Sequence, residues 1–224
     1  MKKLMNRKTL SCILAASALL ASGAASAVST CTSLSTVGAW AAAGSCIDGD
    51  GDMTFTYGSS SIPNTLGGSD TGLSVSEFEI GGNDYYNLGL DWNNGYVPDP
   101  ANGGNLVYSV SPNNNNPKVT GVNFDTVVTQ GNGTTTATKT LKDSAGKTLL
   151  TLTSTNGSNV PETPLPFYTG DLLSVTDYFS STSGAVFTHA DNSFVVPEPG
   201  SILLLGIGLT ALVFGRQKMM MYKI

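Results

Sequence analysis

Charged side chains are scarce in this chain of 224 residues, in which Asp, Glu, Lys and Arg together account for 12%. An ordinary soluble domain has roughly 25%. The apolar share is 40%, so the low charge does not indicate disorder, which requires low hydrophobicity together with high net charge. The formal charge of −5 argues against a nucleic-acid-binding protein, because such a protein needs a basic surface to displace counterions from phosphates.

Histidine is almost absent, since His189 is the single histidine of the chain. Any Ser-His-Asp arrangement would have to use it, and the sequence contains neither a Gly-x-Ser-x-Gly nor a His-Glu-x-x-His motif. A glycosidase uses two carboxylates that the sequence alone cannot pair. We therefore predict a protein that is not an enzyme, with no catalytic or cofactor-binding residues and with His189 at the surface; a secreted hydrolase is the third alternative.

Long helical patterns are also lacking, whereas glycine and proline are frequent, with 26 and 10 residues. Short apolar stretches, some of them strictly alternating, are separated by turn residues such as Gly81-Gly82, Asn132-Gly133 and the segment 142–147. This pattern predicts a mainly β fold, an antiparallel β-sandwich or jelly roll. The predicted strands are 53–57, 73–80, 85–91, 105–111, 119–129, 134–141, 148–153, 172–181, 185–188 and 193–196.

The first 27 residues follow the pattern of a secretory signal peptide. A positively charged start precedes an apolar core at 10–21, and Ala25 and Ala27 are the small residues that a signal peptidase accepts before cleavage after Ala27. The alternative is an uncleaved membrane anchor, although the apolar stretch is shorter than the roughly 17 residues that a span needs. The positive charges are those of Lys2, Lys3, Arg7 and Lys8.

A second apolar segment lies near the C-terminus, where no residue from 199 to 215 is charged. As a helix with a rise of about 1.5 Å per residue it would span roughly 26 Å, close to a hydrocarbon core of about 30 Å. Arg216 and Lys218 follow it and indicate a cytoplasmic tail by the positive-inside rule. We expect a single transmembrane helix at about 200–215; the alternative is a buried helix of the core.

Pro197, Glu198 and Pro199 precede this segment, and the order of Pro-Glu-Pro, short hydrophobic span and basic residues resembles the PEP-CTERM sorting signal. The resemblance implies cleavage near the Pro-Glu-Pro by a membrane-embedded exosortase, in a Gram-negative bacterium that makes extracellular polysaccharide. The implied partners are signal peptidase and exosortase during processing, the inner membrane before sorting, and exopolysaccharide. The implied final location is the cell surface or the extracellular matrix.

The predicted exported domain at 28–196 lies between the signal peptide at 1–27 and the sorting signal at 197–224. It contains four lysines and 15 acidic residues, and this excess of negative charge favours solubility. The chain has three cysteines, and removal of the signal peptide leaves two of them, Cys31 and Cys46. We expect a disulfide between them in an oxidising periplasm; free thiols or a metal site are the alternatives.

The segment between the two cysteines has a helical pattern. Leu34, Val37 and Ala41 recur at helical spacing, and Gly44 follows as a residue that commonly ends a helix. The sequence therefore predicts one short helix near the N-terminus of the exported domain.

Asp48, Asp50 and Asp52 alternate with glycine in a manner typical of calcium-binding loops. Carboxylates at alternate positions can wrap a hard cation, as at positions 1, 3 and 5 of an EF-hand. The rest of that loop is missing, because Met53 stands at position 6 and Ser59 at position 12. The three aspartates are thus candidate calcium ligands in a chain that otherwise has no predicted cofactor; the alternative is an acidic turn.

Aromatic rings are concentrated between 85 and 96, together with Asp and Asn residues. Exposed rings can stack on sugar faces while amides and carboxylates hydrogen-bond to hydroxyl groups. Rings at alternate strand positions are more often part of the core, since each buries about 150–250 Å². The candidate sugar-binding residues are Tyr85, Tyr86, Trp92 and Tyr96.

These features together predict an exported, exosortase-sorted β-sandwich protein of the cell surface or extracellular polysaccharide matrix, associated with biofilm and without enzymatic activity. The alternative is a carbohydrate-binding module.

Overall fold

The computed structural model describes residues 29–62, 71–98, 102–113, 118–129, 133–167, 171–182 and 185–197. None of the helices within these ranges has the length and hydropathy of a membrane span. Several predicted features lie outside the described residues: the signal peptide with Ala25 and Ala27, the transmembrane helix at about 200–215, and the sorting residues Glu198, Pro199, Arg216 and Lys218.

Twelve strands and one α-helix, α1 (Val37–Ala43), account for most of the described residues. A short 3-10 turn precedes α1. The strands are β1 (Ser29–Thr30), β2 (Ser45–Ile47), β3 (Met53–Ser60), β4 (Gly72–Ile80), β5 (Asn83–Tyr96), β6 (Gly104–Pro112), β7 (Gly121–Thr129), β8 (Thr135–Lys142), β9 (Thr148–Thr155), β10 (Val160–Pro164), β11 (Leu173–Ser181) and β12 (Val186–Pro197).

The strands form two sheets that pack as a β-sandwich, so the predicted mainly β architecture is confirmed. One sheet has seven strands in the order β1-β2-β3-β6-β11-β8-β9, and the other has five in the order β10-β7-β12-β5-β4. Neighbouring strands are antiparallel except β1 and β2, which are parallel. The last strand, β12, is the central strand of the five-stranded sheet.

The core lies between the sheets and is rich in aromatic rings. The core side chains come from alternate positions of the strands, since every second residue of a strand points to the same face. Rings from the two sheets meet edge to face: Trp92 of β5 lies 5.3 Å from Phe179 of β11, and Phe55 of β3 lies 6.1 Å from Phe194 of β12, between ring centroids. Such pairs contribute about 0.5–1.5 kcal/mol beyond the area that they bury.

The predicted disulfide and short helix are both present at the N-terminal end. Cys31 and Cys46 are bonded, with 15 residues of sequence separation, a loop closure that contributes roughly 3 kcal/mol in the chain-entropy model. Thr36 caps α1 through its side chain, which accepts from the backbone N–H of Ala39 at 3.1 Å. Gly44 ends the helix at φ 77°, a conformation that glycine adopts at little cost.

Two sequence predictions on strand connections are wrong. The strands on either side of Asn132-Gly133, β7 and β8, do not form the hairpin that this pair predicts, because they belong to different sheets. The predicted strands 185–188 and 193–196 are one strand, β12, since the intervening residues keep pairing with β5 and β7 across a register shift after Phe187. The turns at Gly81-Gly82 and 142–147 do connect antiparallel neighbours, β4 with β5 and β8 with β9.

Candidate functional site

The aspartate-glycine segment forms a tight loop between β2 and β3. Oδ1 of Asp48 accepts hydrogen bonds from the backbone N–H groups of Gly51 at 3.1 Å and Met53 at 3.0 Å. Asn113, which directly follows β6, also holds the loop, because its Nδ2 donates to the Gly51 carbonyl at 3.0 Å and its backbone N–H donates to the Asp52 carbonyl at 2.7 Å. The loop is therefore held by hydrogen bonds of its own and by those of Asn113.

Three carboxyl groups meet at this loop. Asp48, Asp50 and Glu77 each place an oxygen so that all three oxygens lie within 4.8 Å of one another. Asp48 is 2% exposed, and its Oδ2 is buried without a hydrogen-bond partner. The structure thus brings together two of the three predicted calcium ligands, replaces Asp52 by Glu77 of β4, and leaves a buried carboxylate oxygen unsatisfied.

The pKa values of these carboxyl groups reflect their crowding. Burial raises the pKa of Asp48 to about 7, with a further contribution from Asp50. Burial likewise raises the pKa of Glu77 to about 7, again assisted by Asp50. Burial acts in the same direction on Asp50, but contacts with the more readily protonated Asp48 and Glu77 outweigh it and hold its pKa below the ordinary value. Like charges at this distance disfavour joint ionisation, so the crowding favours a bound proton or a cation at the cluster.

His189 is half-buried between two aspartates on the outward face of the five-stranded sheet. Its Nδ1 lies 2.6 Å from Oδ1 of Asp91, and its Nε2 lies 2.7 Å from Oδ2 of Asp191. Asn87 donates to the other oxygen of Asp191 at 3.0 Å. The pKa of His189 is raised to about 9, and the hydrogen bond to Asp191 is the largest cause. Burial lowers the pKa of His189, but the hydrogen bond to Asp91 raises it further.

The raised pKa of His189 favours the imidazolium form at neutral pH. Both ring N–H groups then donate, and neither nitrogen has a lone pair with which to accept a proton. As arranged here, the ring can neutralise two carboxylates and fix β5 to β12, but it has no nitrogen with which to act as a general base.

Three of the four predicted sugar-binding rings lie in the core. Tyr86 and Trp92 are 1% exposed and Tyr96 is 2% exposed, so they cannot stack on a sugar at the surface. They occupy the inward positions of β5, and Trp92 donates through Nε1 to Oγ1 of Thr71 at 3.2 Å. The prediction of a sugar-binding surface at these three residues is wrong, because aromatic burial between the sheets takes precedence.

Tyr85 is the one residue of that set on the outward face. It lies opposite Phe78 of β4, and the two rings stack with centroids 5.2 Å apart and planes 6° apart. Phe78 is 43% exposed. The Tyr85 hydroxyl donates to Oε2 of Glu162 on β10 at 2.9 Å. The outward face thus combines the Phe78–Tyr85 pair with carboxylate, amide, hydroxyl and imidazole groups, which belong to Asn87, Asp91, Asn123, Asp125, His189, Asp191 and Ser193.

The C-terminal end of the chain carries a recognised motif. The PEP-CTERM protein-sorting motif matches residues 195–218, as the resemblance at Pro197, Glu198 and Pro199 predicted. The motif implies an exported protein that is anchored in the membrane before sorting and is processed by an exosortase. Of these three residues, the structure describes Pro197, which ends β12 opposite Asn83.

Comparisons with known proteins add little beyond this motif. No curated protein sequence matches the chain. A solved structure of a mutant of CBM29-2, a family 29 carbohydrate-binding module, is 11% identical, covers 65% of this chain and 85% of that chain, and has a TM-score of 0.25. A second mutant of CBM29-2, complexed with cellulohexaose, is 12% identical, covers 63% and 92%, and has a TM-score of 0.17. With TM-scores this low, neither likeness bears on the function of this chain.

The histidine cluster predicts a specific pH dependence of stability. The folded-state pKa of His189 of about 9 lies above the unfolded value of about 6.5, so its contribution is fully present below about 6.5 and is lost as pH rises through about 9. We expect the free energy of unfolding of the wild type to exceed that of His189→Gln by an amount that shrinks across this window, as measured by urea denaturation. A difference in the free energy of unfolding that stays constant with pH would contradict the two hydrogen bonds of His189 to Asp91 and Asp191.

Proposed function

We propose that this chain is an exported, exosortase-processed protein of the cell surface or extracellular polysaccharide matrix, and that it acts without catalysing a reaction. The observation that carries the proposal is the sorting motif at 195–218. The disulfide between Cys31 and Cys46 supports export, because such bonds persist in oxidising compartments. The scarcity of lysine and the excess of acidic groups suit a soluble exported domain.

The motif begins inside the folded domain, which bears on how processing occurs. Its first residues, Val195 and Val196, are buried in β12, and Pro197 ends that strand. Only Glu198 separates the strand from the uncharged segment at 199–215. Cleavage near the Pro-Glu-Pro would therefore release a complete sandwich with its central strand intact.

Mass spectrometry of the protein from cells with and without the sorting enzyme tests this proposal. With the enzyme, we expect the N-terminus at Val28 and a C-terminus near Pro199; without it, the tail to Ile224 should remain. Glu198→Ala should impair cleavage because it alters the motif, whereas Glu162→Ala, a control on β10, should not. A full-length tail in both strains, or a chain that keeps its first 27 residues, would be inconsistent with the proposal.

Polysaccharide binding on the outward face of the five-stranded sheet is the second candidate function. The stacked pair Phe78 and Tyr85 offers an apolar surface to a sugar ring, and the amides and carboxylates farther along the same face can bond to hydroxyl groups. Glu162 holds the Tyr85 hydroxyl in place, which reduces the entropy lost on binding. An exported matrix protein would meet its own polysaccharide at this face.

Titration against the organism's own exopolysaccharide separates this candidate from the first. Tyr85→Ala should weaken binding by about 3- to 10-fold, the loss expected for one aromatic contact. Tyr178→Ala is the matched control, because this tyrosine is 41% exposed but lies on the seven-stranded sheet. Equal affinity of both variants and the wild type, or no binding at all, would exclude sugar binding at this face.

We also propose that the cluster of Asp48, Asp50 and Glu77 binds a calcium ion that stabilises the exported domain. Calcium takes six to eight oxygen ligands from carboxylates, carbonyls and water, and three carboxylate oxygens already converge here. The buried and unpartnered Oδ2 of Asp48 supports the proposal, since a buried carboxylate oxygen without a partner is costly. A cation would remove both this cost and the repulsion within the cluster.

The melting temperature of the EDTA-treated protein should rise when calcium is added, because a ligand of the folded state increases the free energy of unfolding. At a calcium concentration of 100 times the dissociation constant this increase is about 2.7 kcal/mol. Glu77→Gln should abolish most of this rise, whereas Glu79→Gln, on the same strand but outside the cluster, should keep it. If calcium leaves the melting temperature of the wild type unchanged, the site is an acidic turn.

A further inference from the structure

Three polar side chains lie fully buried between the two sheets. Lys139, Asp177 and Asn192 are each 0% exposed. Buried polar groups are normally paired by hydrogen bonds, and buried charges are normally paired by opposite charges. Here both carboxylate oxygens of Asp177 and Oδ1 of Asn192 are buried without a hydrogen bond of regular geometry, and so is the hydroxyl of the neighbouring Tyr108. The core therefore holds a polar cluster whose contacts do not reach regular hydrogen-bond geometry.

The three residues come from both sheets. Lys139 on β8 and Asp177 on β11 are directly opposite each other in the seven-stranded sheet. Asn192 lies on β12, the central strand of the five-stranded sheet, and its Nδ2 donates weakly to the Leu88 carbonyl at 3.4 Å. All three are inward-facing by burial, so the lysine and the carboxyl group face the asparagine across the interior.

The lysine side chain crosses the interior to the five-stranded sheet. Its Nζ donates to the backbone carbonyl of Asn123 on β7 at 3.4 Å. It also lies 4.5 Å from the ring centroid of Phe194 and 5.5 Å from that of Phe124. Phe124 is the cross-strand partner of Asn192, and Phe194 follows Asn192 by two residues on the same face of β12. The amine thus reaches the part of the sheet surface that carries the Asn192 side chain.

Asp177 contacts the other members of the cluster. Burial raises the pKa of this carboxyl group to about 6, against the opposing effects of Lys139, the Tyr108 hydroxyl and the Asn192 amide. Burial lowers the pKa of Lys139 to about 8, against the opposing charge of Asp177. The ordinary gap between 10.5 and 3.8 is thereby reduced, so a proton can pass from the amine to the carboxylate more readily than in water.

We propose that Lys139 and Asn192 form an intramolecular amide bond that joins the two sheets, with Asp177 as the acid and base of the reaction. The elements of this reaction are a desolvated amine, an amide carbonyl and a carboxyl group held together in a dry interior. A desolvated lysine is an effective nucleophile, and confinement of the reacting groups replaces a bimolecular encounter by an intramolecular one.

The reaction needs no reagent beyond the three side chains. Lys139 transfers a proton to Asp177 and becomes a neutral amine, and the protonated Asp177 donates a hydrogen bond to Oδ1 of Asn192. The Nζ lone pair attacks Cγ of Asn192 to form the new C–N bond. Asp177 carries a proton from Nζ to Nδ2, the Cγ–Nδ2 bond breaks, and ammonia leaves. The products are one amide and one ammonia from one amine and one amide, and no atom is oxidised or reduced.

The bond would connect β8 to β12 and so fix the strand that leads directly into the sorting motif. A protein that is held or pulled through its C-terminal end transmits that load to β12 first, because Pro197 ends this strand. A covalent link from β12 to the opposite sheet resists extraction of the strand in a way that hydrogen bonds alone do not. The proposal is independent of sugar or calcium binding.

Peptide mapping of the exported wild-type protein decides the proposal. We expect a cross-linked species in which the peptide containing Lys139 is joined to the peptide containing Asn192, and an intact mass lower by one ammonia after the disulfide is taken into account. Mapping is needed because succinimide formation at an Asn-Gly pair, such as Asn156-Gly157, also releases ammonia. Recovery of the two peptides as separate, unmodified species from folded protein would overturn the proposal.

Variants then test the role of each group. Asp177→Asn keeps the shape of the side chain but removes the acid, so the two peptides should be recovered unlinked from protein with a native circular dichroism spectrum. Lys142→Arg is the matched control, since Lys142 lies on the same strand but is exposed, and the cross-link should persist. A cross-link that persists in Asp177→Asn would exclude the proposed acid–base role. If this variant does not fold, the wild-type peptide map still decides whether the bond forms.

Discussion

Aromatic packing between the two sheets is the interaction on which the rest of the structure depends. Trp92, Phe179 and Phe187 contact one another at centroid distances of 5.3–6.3 Å. Phe194 of the central strand packs with Phe55 and Tyr108 of the opposite sheet in a second group of rings. Because both tryptophans and most of the large rings of the described residues are taken up in this way, few remain for the surface. The outward aromatic pair on the five-stranded sheet therefore stands out as a feature that the core does not require.

The acidic composition of residues 28–196 sets a second constraint. Fifteen acidic groups with four lysines cannot be balanced by ion pairs, so the fold brings carboxylates together in places. The structure shows two arrangements of such groups. At His189 an imidazolium lies between Asp91 and Asp191, whereas at Asp48 and Glu77 no cation of the chain is among the causes of the pKa shifts. In the second arrangement a cation from solution would have the larger stabilising effect, because the chain supplies none to offset the repulsion between the carboxylates.

Acidic residues occupy two strand positions at which alternation predicts an apolar residue. Glu77 follows Leu73 and Val75 at the alternating positions of β4, and Asp177 follows Leu173 and Val175 in the same manner on β11. An acidic residue in such a series is a signal that the sequence carries, because alternation assigns it to the interior. What the alternation does not reveal is the group that each carboxyl faces, since that group belongs to another strand.

The sequence by itself determined the features that depend on neighbouring residues. The strand alternation, the helix between Thr36 and Gly44, the pairing of Cys31 with Cys46 and the C-terminal sorting motif all follow from local spacing and composition. Only the tertiary structure decided which strands share a sheet, that Trp92 faces inward while Tyr85 faces outward, and that Glu77 rather than Asp52 joins the aspartate loop. These outcomes depend on contacts between residues far apart in the chain, and local propensity carries no information on which distant side chain will fill a given place in the core.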